Sequence, residues 1–192
     1  LEAQLGRKLY PLHRLDKATS GVLLFARDAR SASAWRESFE RREVRKRYLA
    51  LVRGWPDPSG SIDHPLARDP ERPSAGQAHQ DAVTQYRLLA RLELPVSTHP
   101  QHAATRCALV EVWPLTGRRH QIRRHFKHIA HPLIGDSTHG KGPLNRTLAP
   151  WLGTSRLWLH AREVELRGVR IVAPEGPEWQ AILRFSLNKP QD

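Results

Sequence analysis

Short hydrophobic runs alternate along this chain with stretches rich in glycine, proline and charge, and each run has a readable period. Residues 20–26 (SGVLLFA) are apolar behind turn-forming residues and predict a buried strand. Asp28 is placed to cap a helix over 29–42, where Trp35 and Phe39 stand four apart on one face. Residues 46–53 (KRYLALVR) alternate and stop at Gly54-Trp55-Pro56, which predicts a strand followed by a turn. The segment 57–79 reads as a long surface loop holding one short strand at 61–64. Two further strands are expected at 82–92 and 106–113, joined by a loop over 95–105.

After Thr116-Gly117 the period changes. In RRHQIRRHFKHIAH, Ile122, Phe126 and Ile129 recur at helical spacing, and Pro132 ends the helix. That reading puts Arg119, Arg123 and Arg124 on one helix, with 119 and 123 sharing a side and 124 turned about 100° away. Residues 135–156 read as a Gly/Pro-rich loop, 157–166 and 169–172 as a hairpin around Arg167-Gly168, and 177–185 as a closing helix. Strands outnumber helices and mostly follow one another directly. The expected fold is α+β, a mainly antiparallel mixed sheet with flanking helices and long loops. Trp35 and Trp179 are assigned to the core, and Trp55, Trp113, Trp151 and Trp158 to core or turn packing.

Composition narrows the partner. With 192 residues, 39% of them hydrophobic and Trp used six times, the chain can bury the core of one ordinary domain. Its 31 Lys and Arg against 19 Asp and Glu leave a net charge of +12. Such an excess suits a polyanion, because each phosphate contact releases condensed counterions. No apolar run approaches membrane-spanning length and no signal-peptide pattern is present, so no membrane partner is expected. Cys107 is the only cysteine, which fits a reducing compartment. Nucleic acid in the cytoplasm is the expected partner, with protein partners left open.

The segment from Thr116 to His139 concentrates Arg118, Arg119, Arg123, Arg124 and Lys127 with histidines at 120, 125, 128, 131 and 139. Zinc is the first chemistry to weigh against such histidines. Catalytic zinc sites usually add a carboxylate or a thiolate, an HExxH spacing is absent, and the neighbouring cations oppose a dication. We therefore expect no metal, and a cationic helix face turned towards phosphates.

Three segments in order, HRLDKATSGVLL, KRYLALV and TGRRHQIRRHFKHIAHPLIGD, are similar to the signature segments of the RluA-type pseudouridine synthases. The similarity runs from about residue 13 to the LHA at 159–161. It implies a cofactor-free isomerisation, in which a uridine of RNA is detached from its ribose, turned and rejoined through carbon. Residue by residue, Asp16 matches the family's catalytic aspartate, Tyr48 the aromatic that stacks on the target base, and Arg123 the arginine that pairs with the aspartate. Arg14 matches a residue that helps displace the target nucleotide, and Leu159 an apolar wall of the uracil pocket. Arg118, Arg119 and Arg124 are assigned to RNA phosphates. The RRHQIRRH variant, the stretch from Gly135 to Gly140, Asn145-Arg146 and the ELPV at 93–96 resemble a tRNA-modifying branch whose target is the uridine at tRNA position 65. The resemblance also implies a single catalytic domain over 1–192 that lacks the family's segment ahead of HRLD. A ribosomal-RNA synthase of the same family and a non-catalytic RNA-binding module stand as alternatives.

Elementary chemistry makes these roles coherent. Breaking an N-glycosidic bond builds positive charge on the sugar, which a carboxylate can stabilise or capture. A nearby guanidinium favours the ionised carboxylate and never deprotonates. A flipped pyrimidine needs a flat partner, and stacking on an aromatic ring is worth about 1–3 kcal/mol per base. Alone, Tyr48 would read as a core tyrosine and Arg123 as a phosphate contact. In order with Asp16, they read as a site.

Overall fold

In a computed structural model, residues 1–41 and 43–187 are described. The chain opens with α1 (Glu2–Leu5), β1 (Tyr10–Pro11), β2 (Ser20–Gly21), β3 (Phe25–Ala26) and α2 (Ala29–Glu40). It continues through β4 (Arg45–Arg53), β5 (Ser59–Asp63), β6 (Leu66–Ala67), β7 (His79–Gln80), β8 (Val83–Leu94) and β9 (Thr105–Pro114). The last elements are α3 (Gln121–His128), α4 (Gly142–Leu152), β10 (Leu159–Leu166), β11 (Val169–Val172) and α5 (Pro177–Leu187). A seven-stranded sheet in the order β11-β10-β4-β9-β8-β5 forms the frame, with β2 added to β10. Every pairing in it is antiparallel except β2 with β10, so the expected α+β fold on a mainly antiparallel mixed sheet is the one observed.

The alternation of side chains builds two cores. Along β4, Ala50 and Val52 pack with Ile122 and Phe126 of α3, while Leu49 and Leu51 pack with Leu148 of α4 and with Trp179 and Ile182 of α5. Both faces of the sheet are thus covered, and residues 49 to 52 are buried throughout. A smaller cluster joins Val22, Val44, Val164 and Leu166 to Leu24, Trp35 and Phe39, and it seats α2. The Asp28 cap forms as expected, its carboxylate accepting from the Ser31 amide at 2.7 Å. Arg42, the expected last residue of that helix, lies outside the described residues. Trp158 and Trp179 meet edge to face in the core at 4.9 Å, whereas Trp151 is partly exposed. Among the described residues no helix is long and apolar enough to cross a membrane.

Several elements differ from the reading of the sequence. The run 20–26 is not one strand. It pairs with β10 through Ser20 and Gly21, leaves the sheet as Val22 and Leu24 enter the small core, and then pairs with β1 through Phe25 and Ala26. The stretch 135–156 is not all loop, because α4 occupies its middle. Pro143 lies in the first turn, where an amide is not needed, Gly153 closes the helix in the left-handed region, and Leu144, Leu148 and Leu152 line one stripe between them. Within 57–79, buried Leu66 and Ala67 form a second hairpin with His79 and Gln80.

Gly21 has the one backbone that this junction tolerates. Its φ is +112°, and a Cβ there would lie 2.1 Å from the Ala161 carbonyl oxygen. Gly21→Ala should therefore cost about 3 kcal/mol or more and detach the segment leading out of the HRLD motif. A thermal melt checks this, and an unchanged melting temperature would contradict the close approach.

Candidate active site

Asp16 sits in the loop between β1 and β2, and both ends of that loop are tied down. On one side His13 Nε2 accepts the Leu24 amide at 3.1 Å while its ring stacks on Phe39 at 5.4 Å. On the other, the Thr19 amide donates to the Asp16 carbonyl at 2.8 Å, closing the turn. Next to it Ser20 Oγ lies 2.8 Å from His160 Nδ1 and accepts from Arg156 Nη2 at 2.5 Å. The short parallel pairing of β2 with β10 locks this arrangement, so a carboxylate in a Thr-Ser turn is held against the sheet rather than waved in solvent.

The opposite wall is the start of α3. Gln121 pins it: its Oε1 accepts from Thr116 Oγ1 at 2.7 Å and from the Arg118 amide at 2.9 Å, and its Nε2 donates to Val83 O and to Thr84 Oγ1. All of these groups lie on or beside β8 and β9, so the helix begins at a fixed distance from the sheet. Two turns of consequence follow. His120, the N-cap residue, takes a left-handed backbone with φ of 55°, and Arg123 is directed inward with its side chain only 8% exposed.

Arg123 reaches Asp16 as expected, with Nη1 donating to Oδ2 at 3.1 Å. That contact is a single N–H rather than a two-pronged one. The fork of Arg123 instead faces Asp136, with Nε and Nη2 each 2.8 Å from a carboxylate oxygen. Asp136 is fully buried and also accepts the amides of Thr138 and His139 at 2.9 and 2.8 Å. Burial opposes its ionisation, but the guanidinium and the two amides outweigh that and hold its pKa below the ordinary carboxylate value. Asp136 was quoted in the third signature segment, yet nothing in its spacing marks it as the partner of Arg123. His120 extends the same network, its Nδ1 2.9 Å from His139 Nε2 and its Nε2 3.9 Å from Asp16 Oδ1.

Between these walls lies an open cleft of about 750 Å³. Asp16, Tyr48 and Leu159 line it together, with Arg14, Arg118 and Arg119 at its margin. Tyr48 and Leu159 come from neighbouring strands, β4 and β10, where Tyr48 pairs with Ala161 and Leu159 with Ala50, two positions along on the same face. Burial and the adjacent Asp16 carboxylate push the Tyr48 phenol up to about 12, so the ring is neutral and apolar in character at ordinary pH. Lys46, which the sequence did not single out, also lines the cleft. Its ammonium donates to the Thr116 carbonyl at 3.3 Å, and burial lowers its pKa.

The outer arginines are not a uniform solvated face. Arg119 precedes α3 rather than belonging to it, and it ion-pairs with Glu71 and, at 3.9 Å, with Asp69. The helical spacing expected between 119 and 123 therefore does not apply. Arg124 does lie on α3, but its Nη1 donates to the Ala67 carbonyl at 2.9 Å and it does not line the cleft. Arg118 donates Nε to the Asp81 carbonyl at 2.9 Å. Among the described residues no group of three or more His, Cys, Asp or Glu side chains is arranged to hold a metal ion.

The chain has counterparts among known proteins. Residues 2–128 match the family model described as RNA pseudouridylate synthase, and the chain belongs to that family. It is a pseudouridine synthase, an isomerase that converts uridine in RNA to pseudouridine. Relatives include the tRNA pseudouridine synthase C of Vibrio cholerae, 44% identical over 85% of this chain and 69% of its own length. The protein of the same name from Haemophilus ducreyi is 42% identical over 95% of this chain and 79% of its own length. Among solved structures, human RNA pseudouridylate synthase domain containing 1 superposes with a TM-score of 0.74 at 28% identity, covering 91% of this chain and 72% of that one.

Proposed function

We propose that this enzyme modifies tRNA, at the uridine of position 65, with Asp16 as the nucleophile or electrostatic partner of the ribose. In this reading the flipped uracil stacks on Tyr48 and rests against Leu159. Arg123 pairs with Asp16 through Nη1, and Arg14 helps to displace the target nucleotide. The observation that carries the reading is the meeting of Asp16, Tyr48 and Leu159 in one cleft, with Arg123 Nη1 at 3.1 Å from the carboxylate. The names of the two bacterial relatives support tRNA as the substrate. One seven-stranded sheet that joins β2 from the start of the chain to β10 and β11 near its end supports a single catalytic domain over 1–192, and the single, buried Cys107 supports a cytoplasmic setting. Incubating the protein with total RNA and mapping new pseudouridines tests the substrate. A single modified position in tRNA is expected, and modification confined to ribosomal RNA would overturn the assignment.

Docking is assigned to the cationic margin of the cleft, Arg14, Arg118 and Arg119, with Arg124 on α3. The net charge of +12 supports a phosphate-led encounter. If about five phosphates are neutralised, the logarithm of the dissociation constant should rise with the logarithm of salt with a slope of about 4. A nearly flat plot would mean that this margin is not the docking surface. Arg124→Ala should reduce that slope by about one and leave the rate at saturating RNA largely intact.

A further inference from the structure

The reaction moves a proton, and the residues assigned so far do not carry it. As uridine becomes pseudouridine the C1′–N1 bond breaks and a C1′–C5 bond forms. Carbon 5 must then lose its hydrogen while nitrogen 1 gains one. Asp16 is engaged with the sugar in the reading above, on which this inference rests. Arg123 stays protonated at every working pH. The Tyr48 phenol is pushed up to about 12 by burial and by Asp16, so its phenolate is scarce. His13 lines the cleft too, but its Nε2 is already occupied by the Leu24 amide.

We propose that His120 is the catalytic residue that carries this proton, and that His139 is the positioning residue that fixes its ring. His120 lines the cleft with Nε2 3.9 Å from Asp16 Oδ1, beside the place where the reacting sugar must lie. Its other nitrogen is 2.9 Å from His139 Nε2, and the His139 amide is in turn held by Asp136. With Nδ1–H donated to His139, the Nε2 lone pair of His120 is left facing the cleft.

The proton balance closes within the ring. Once C5 is bonded to C1′, Nε2 of neutral His120 takes the hydrogen from C5. The C5–H electron pair becomes the C5=C6 double bond, and the former C6=N1 pair moves onto N1. The imidazolium then supplies the proton that N1 takes up, which returns His120 to its neutral form. The groups facing its imidazole are Asp16 from the β1–β2 loop, Arg123 from α3, Arg119 from its own loop, and Asp136 and His139 from the loop before α4. Burial, then Arg123 and Arg119, lower the His120 pKa against the opposing pull of Asp16 and Asp136, so the ring is neutral and basic at physiological pH. His139 is held lower still, at about 4 by burial first, and remains a neutral hydrogen-bonding partner throughout.

The test measures single-turnover rates at saturating tRNA whose target uridine carries hydrogen or deuterium at C5, across pH, for the wild type, His120→Gln and His139→Gln. His120→Gln keeps an amide that can hydrogen-bond but cannot carry a proton. It should lose about 100-fold or more in rate, show a primary isotope effect at C5, and lose the acid limb of the pH profile while its dissociation constant stays within about threefold. His139→Gln should lose less and keep that limb, as a positioning role demands. A His120→Gln rate within about threefold of wild type, or a large loss with the acid limb intact and no isotope effect, would overturn the proposal. The wild type supplies an arm independent of folding. Its rate should fall as pH drops through a protonation below the ordinary histidine value of about 6.5, and a flat profile there would equally overturn it. Asp16→Asn measured alongside separates the two readings. An active Asp16→Asn defeats the reading on which this one rests, whereas failure confined to His120→Gln leaves the Asp16 reading standing.

Discussion

Asp16→Asn should lower the single-turnover rate at saturating RNA by about four orders of magnitude or more. The substitution is nearly isosteric, and the amide oxygen can still accept Arg123 Nη1, whose distance to the native carboxylate is 3.1 Å. What disappears is the charge that meets the developing cation on the sugar and the oxygen that could capture it. Affinity should stay within about threefold, because docking is assigned to the cationic margin and stacking to Tyr48. Stability should change little, since Arg123 keeps its fork on Asp136. Rate and dissociation constant measured in the same buffer check both halves. Clear turnover by a well-folded Asp16→Asn would falsify the assignment of the nucleophile.

Asp136→Asn should have the second-largest effect, although Asp136 lies behind the cleft rather than in it. The variant puts a neutral amide where the buried guanidinium had a bidentate carboxylate, and leaves it only the single charged contact to Asp16. Breaking a buried pair in this way costs about 3–5 kcal/mol of stability. The rate at saturation should fall by about 100-fold or more, because Arg123 is no longer held at the distance and angle from which it reaches Asp16. Arg123→Lys should produce a similar loss, since an ammonium cannot fill the fork and reach Asp16 with a third N–H. The pH dependence has a definite sign. The folded pKa of Asp136 is depressed, so its contribution is present in full above the unfolded value of about 3.9 and is lost as pH falls through the folded one. The stability gap between wild type and Asp136→Asn should therefore narrow on acidification below about pH 4. Denaturant melts over that range check it.

How much of this was legible in the sequence depends on the range of the interaction. Local signals carried well. The Asp28 cap, the strand β4 and the Arg167-Gly168 turn all rest on neighbours within a few residues, and all formed, although β4 is buried on both faces from 49 to 52. Partner switching did not carry: the apolar run at 20–26 leaves β10 for β1 partway along, and which strand it meets is decided by the distant Ala161 and Tyr10. Gly and Pro misled over 135–156, because Pro143 and Gly153 mark the ends of α4 rather than its absence. At the site, ordered motifs named Asp16, Tyr48, Arg123 and Leu159, and the fold brings them together. The sequence could not say which carboxylate takes the fork of Arg123. Asp16 and Asp136 are each many residues from it, and only the packing of the loop before α4 against α3 decides. His120 was visible as a histidine among histidines. Its left-handed backbone and its tie to His139, nineteen residues on, belong to the tertiary placement of the helix start and have no local sequence signal.

A double-mutant cycle on Arg123 and Asp136 tests most directly whether the two act as one unit on Asp16. Single-turnover rates at saturating tRNA would be measured for the wild type, Arg123→Lys, Asp136→Asn and the double variant, each shown by circular dichroism and melting to be folded at the assay temperature. If Asp136 acts by holding Arg123 against Asp16, the double variant should be no slower than the slower single variant, within about threefold. Losses that multiply, so that Asp136→Asn costs as much with Lys at 123 as with Arg, would contradict this and leave the two residues acting on the reaction independently.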